Sequence, residues 1–79
     1  MKQPEQFFRG VIREPDGGGE RVVVGKATKA LAERMATTEA KKTNWDWYVE
    51  HCRLDGTGQD QQITVIEQWS SMAGYESFE

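Results

Sequence analysis

The chain predicts an α+β domain: a four-stranded, largely antiparallel sheet in β-β-α-β-β order, with one helix packed on one face. Three observations predict it. Apolar residues alternate with strand period over Gln6–Glu14, Arg21–Gly25, Trp45–Leu54 and Gln61–Trp69. The period lengthens to that of a helix over Lys26–Lys42. Glycine-rich turns at Pro15–Gly19 and Asp55–Asp60 join the strands into two hairpins, which flank the helix.

The first strand, QFFRGVIRE, sets Phe8, Gly10 and Ile12 on one face and Phe7, Arg9, Val11 and Arg13 on the other. In PDGGG, proline presets the first central φ, aspartate suits the second position, and a glycine takes the positive φ that follows. RVVVG is short and β-branched, the returning strand. KATKALAERMATTEAKK is rich in alanine and straight-chain residues. Ala27, Leu31, Met35 and Thr38, with Ala30 beside them, form its mostly apolar stripe. Thr28 or Gly25 caps its start, Lys41 and Lys42 complement the negative end of its dipole, and Asn44 is its stop. On the third strand Trp45, Trp47 and Val49 oppose Tyr48, Cys52 and Leu54; on the fourth Ile63, Val65 and Trp69 oppose Thr64 and Ile66. Residues 1–5 and 70–79 are expected as loose termini, although Met72, Tyr75 and Phe78 have the spacing of a short helical turn.

With 79 residues this is one domain, 1–79, near the lower size limit for a single core. Only 37 % of the residues are hydrophobic, and mean hydropathy is −0.76. The aromatic residues must therefore supply much of the core. One helix covers one sheet face, yet both faces carry apolar residues. The remainder falls to the tail, to a second copy, or to a different partner.

Charge separates along the chain. Residues 1–42 hold nine Lys/Arg against six Asp/Glu, a net of +3; residues 43–79 hold one against seven, a net of −6. Folding could interleave the halves again, or it could leave an acidic surface that steers a basic partner.

Catalytic chemistry has little to work with. His51 is the only histidine, and alternation sends Cys52 to the opposite face. Cys52 is the only cysteine, which rules out an internal disulfide and any Cys/His zinc spacing. The glycines at Gly17–Gly19 precede a strand and no Lys-Ser/Thr pair, so they are a turn and not a phosphate loop. DGTGQD lacks the calcium-loop glutamate, its twelfth position being Ile66. No cofactor, metal or enzymatic activity is expected. The lone thiol and the absence of a leader or a membrane-spanning run point to the cytoplasm.

A protein-binding module remains. Asp46, Glu50, Asp55, Asp60 and Glu67 fall on or beside the second hairpin, with Trp45 and Trp47 as aromatic anchors. Carboxylates around aromatics suit a partner whose Lys/Arg residues ordinarily contact phosphate. The alternative is a dimeric regulatory or nucleic-acid-binding module, in which Arg9, Arg13 and Arg21 line the first hairpin around Phe7. The acidic total weighs against direct nucleic-acid binding.

In size, acidity, β-β-α-β-β order and the Gly-Lys-Ala-Thr-Lys-Ala-Leu-Ala lead into the helix at Gly25–Ala32, the chain resembles small phage-encoded inhibitors of the anti-CRISPR type. The resemblance is one of pattern over most of the chain, with no diagnostic motif. It implies a phage or mobile-element protein in a bacterial host cell, bound stoichiometrically to a CRISPR effector or similar defence complex at a surface that recognises nucleic acid.

Overall fold

The computed structural model describes residues 5–79. Strand β1 (Gln6–Arg13) and strand β2 (Glu20–Ala27) form the first hairpin, followed by helix α1 (Lys29–Thr43). Strands β3 (Asp46–Asp55) and β4 (Gln62–Ser70) form the second hairpin, and a fifth strand, β5 (Gly74–Ser77), ends it. The sheet is antiparallel throughout, in the order β2-β1-β3-β4-β5. The expected α+β class and antiparallel sheet are present, but with five strands, not four. Of the residues expected as loose termini, 1–4 lie outside the described residues.

The tail is neither a helical turn nor a loose end. Gly74, at φ 70°, turns the chain back so that Tyr75 opposes Trp69 and Ser77 opposes Glu67. The Phe78 N–H donates to the Ile66 carbonyl at 2.8 Å. Hydrogen-bonded pairs alternate in an antiparallel ladder, so the N–H and C=O groups of Tyr75 and Ser77 point to the free side.

Local chemistry forms the other turns and ends as expected. Gly17, at φ 83°, follows Pro15 and Asp16, and its N–H donates to the Glu14 carbonyl. The Thr28 hydroxyl caps α1 by accepting from the Leu31 N–H at 3.2 Å. Asn44 closes the helix in the left-handed region at φ 62°.

The helix buries a different stripe from the expected one. Ala32, Ala36 and Ala40 are buried; Leu31 and Met35 are half-buried, and Ala30 and Thr38 are exposed. The cause lies in the sheet. Its helix side presents Phe8, Trp47, Val49 and Trp69 around Gly10, so bulk on the sheet selects small residues on the helix. A Cβ at Gly10 would stand 2.6 Å from the Ala32 carbonyl oxygen and 3.2 Å from the Ala36 Cβ. Helix α1 thereby lies over β1, flanked by β2 and β3, and its backbone does not reach over β4 or β5.

Strict alternation also misplaces part of β4. His51 opposes Glu67 but Cys52 opposes Val65, so Ile66 is an extra residue, a β-bulge. Trp69 consequently faces the helix beside Val49, while Ile63 and Val65 face away beside Leu54 and Cys52. The open face is partly closed by its own long side chains. The Lys26 ammonium stands 5.5 Å from the centre of the Phe7 ring, and Phe7, Val11 and Cys52 are buried although, among the described residues, no helix or strand lies above them.

Gly10→Ala is expected to destabilise the domain by about 1–3 kcal/mol, by forcing helix and sheet apart. Gly19→Ala, where a Cβ meets nothing within 4 Å, is expected to change little. Urea denaturation followed by tryptophan fluorescence checks both.

Candidate functional site

Beside the start of α1, the helix side of the sheet carries a chain of contacting rings. Phe8 stacks on His51 with centroids 4.4 Å apart and planes 10° from parallel. Phe8 and Trp69 lie 6.1 Å apart, and Trp69 and Tyr75 5.5 Å. The Lys29 ammonium, from the first residue of α1, stands 4.1 Å from the centre of the Trp69 ring. Trp69 is thus held from β1, from the helix and from β5 at once.

A polar chain runs beside the rings. His51 Nδ1 lies 2.7 Å from the Glu67 Oε2 atom and donates to it, and the Tyr75 hydroxyl donates to Glu67 Oε1 at 2.9 Å. His51 Nε2 lies 2.9 Å from the Gln6 amide oxygen. The amide can present its oxygen to a protonated ring or turn its nitrogen to a neutral one, so either charge state of His51 has a partner. The His51 and Tyr75 hydrogen bonds hold the Glu67 carboxyl below the usual carboxylate range, and the bond to Glu67 raises the Tyr75 phenol. Further along the same side, Asp55 accepts from Arg53 Nε at 2.8 Å and from the Thr64 hydroxyl at 2.7 Å, which lowers its pKa. The other side of Arg53 donates to Glu79 at 2.6 Å.

A carboxylate on one imidazole nitrogen is the orienting half of a catalytic dyad. The other nitrogen meets an amide instead of a hydroxyl or thiol, and Cys52 lies on the opposite face with its thiol pushed up by burial. Among the described residues, no group of three or more His, Cys, Asp and Glu side chains is arranged to hold a metal ion. The arrangement suits recognition by contact: aromatic surface, carboxylates and a free strand edge.

The seven acidic and aromatic residues singled out from the sequence do not share one surface. Glu67, Asp55 and Trp47 lie on the helix side, with Trp47 half-buried against the core. Asp46 and Glu50 lie on the open face. Glu50 is 8 % exposed and accepts from Arg9 Nε at 2.6 Å. Asp60 is exposed in a short 3-10 turn (Gly58–Asp60), and half-buried Trp45 precedes β3, its N–H bonded to the Ala40 carbonyl. The three arginines also divide. Arg9 and Arg13 share the open face, but Arg21 turns to the helix and donates to Glu39 at 3.0 Å.

Sequence reasoning passed over the tail as part of the site. Met72, Tyr75 and Phe78 are each more than half exposed, and Glu76 lies among them. The signal was there in Gly74, a positive-φ residue between Trp69 and Tyr75, with aromatic residues of strand propensity after it.

Two predictions follow from these pairings. Replacing Glu50 with alanine leaves the Arg9 guanidinium without its partner and is expected to cost about 3 kcal/mol, read as a lower denaturant midpoint. Glu67 and Asp55 have lowered pKa values in the folded state, so their contribution is full above the ordinary carboxylate range and is lost as pH falls below about 4.5. Denaturant titrations from pH 7 to 3 should show stability falling in that window, with a shallower fall for Glu67→Gln.

Comparison of the chain with protein-family models, with curated proteins and with solved structures gives no match in any of the three.

Proposed function

We propose that this chain is a non-enzymatic binding protein that offers the β4–β5 end of its sheet to a basic partner surface. The observation that carries the reading is the exposure of Met72 in the β4–β5 turn, Tyr75 on the edge strand β5 and Phe78 just after it, within the half of the chain that is net negative. Exposed aromatics are the residue types that anchor interfaces, and the surrounding carboxylates select for Lys/Arg across the contact. Asp60, Glu76 and Glu79 are exposed, while Asp55 and Glu67 are held in place by their own hydrogen bonds.

A surface of that chemistry matches proteins that bind nucleic acid, whose phosphate-contacting cations the carboxylates would occupy. The resemblance to small acidic phage-encoded inhibitors makes a bacterial CRISPR effector complex the partner class to try first. On this reading the aromatic anchors are Tyr75 and Phe78; Trp45 and Trp47 support the fold behind them. The buried Glu50 and the open-face Asp46 stand apart from the contact.

The test is retention of a protein complex by the tagged chain from nuclease-treated bacterial lysates, including strains that carry CRISPR effector complexes. Asp60→Lys combined with Glu76→Lys, both at exposed positions, is expected to weaken binding to the recovered complex at least tenfold while leaving the far-ultraviolet spectrum unchanged. A folded double variant that binds as tightly as the wild type would refute the acidic end as the site.

A further inference from the structure

The opposite end of the sheet also has a free edge, and its features are self-complementary. We infer that the β2–α1 side is an interface between two copies of this chain, related by a half turn about an axis that passes by Val23 normal to the sheet.

The first observation is the edge itself. The Glu14 N–H donates to the Gly19 carbonyl at 2.9 Å, and alternation from that pair turns the N–H and C=O groups of Glu20 and Val22 away from β1, to the free side. Val22 is 54 % exposed. The second is the sequence of the edge, Glu-Arg-Val-Val-Val-Gly-Lys from Glu20 to Lys26. Laid antiparallel on itself about Val23, it sets Glu20 of each copy opposite Lys26 of the other. Both side chains lie on the open face: Glu20 shares a register position with Arg13, and Lys26 stands over Phe7. The contact therefore joins unlike charges twice, once on each side of the axis.

The third observation is the groove between β2 and α1, about 300 Å³, lined by Arg21, Val22, Val23, Met35 and Glu39. A second hollow, lined by Arg34, Met35, Thr38 and Glu39, adjoins it along the helix. Met35 and Thr38 belong to the apolar stripe that the sheet leaves uncovered. Three strand spacings of about 4.8 Å separate β1 from its mate across the axis, which puts the two helices about 14 Å apart. That is wider than direct helix packing at 8–10 Å, and long side chains such as Met35, Arg34 and Glu39 can span it. The half turn runs the helices antiparallel, so Arg34 of one copy approaches the Glu39 region of the other, and the two grooves become one enclosed channel. The bulge at Val23 sets Val22 on the open face and Val24 on the helix side, so regular backbone pairing is interrupted at the axis and the side chains carry the contact.

Sedimentation equilibrium and light scattering test the inference on the intact chain. The wild type is expected to rise from 9.0 kDa toward twice that mass as concentration increases. Glu20→Lys alone and Lys26→Glu alone each place like charges at both contacts and should raise the dissociation constant at least tenfold. An equimolar mixture of the two variants pairs Lys with Glu at both contacts and should associate again. A wild type that stays monomeric to about 1 mM overturns the inference. So does a dimer that neither substitution weakens, or a mixture that associates no better than its components. Circular dichroism verifies that each variant is folded, and the partner-binding test at β4–β5 reads independently of every outcome.

Discussion

The close approach of helix α1 to the backbone of Gly10 determines where everything else can go. A glycine in the middle of a strand costs β propensity, and here it returns a helix seated directly on β1. With alanines against that strand, the large side chains of β3 and β4 close around the helix from one side, while Val24 and Ala27 close from the other. A 15-residue helix cannot then cover five strands. The β4–β5 end of the sheet is left without helical cover, and the exposed aromatic end follows from that one contact.

Charge follows the same geometry. The positive and negative halves of the chain meet where β1 pairs with β3, and there Arg9 and Glu50 neutralise each other on the open face. Away from that junction the halves diverge, β2 and α1 to one side and β4 and β5 to the other. The separation of sign along the sequence thus survives as a separation in space. Paired groups such as Glu50 contribute to stability, and exposed ones such as Glu76 contribute to the field.

Features set by neighbouring residues were legible in the sequence, and features set by distant ones were not. Pro15–Gly19 specifies its own turn, and Thr28 and Asn44 specify their own helix ends, because the groups they satisfy lie within five residues. The buried stripe of α1 depended on the shape of the sheet opposite, which favoured three alanines over Leu31 and Met35. The extra residue at Ile66 was invisible to alternation, since a bulge shows only against the partner strand. The burial of Glu50 likewise required knowing that Arg9, 41 residues away, would lie beside it. The strand in the tail was the exception: its glycine and aromatics were local signals, but too short a segment to outweigh the expectation that chain ends are loose.

The strand order also sets how the domain assembles. Each hairpin closes through a turn of a few residues and can form early, but neither alone buries a face of the sheet. The pairing of β1 with β3 is the strand pairing that joins them, and it closes a long loop containing β2 and all of α1. Loop closure is a slow, entropically costly step that is rewarded only when the aromatic and alanine surfaces meet. Cooperativity therefore resides at the β1–β3 zipper, because neither hairpin buries a face of the sheet until the chain through Asp55 is available to pair with β1.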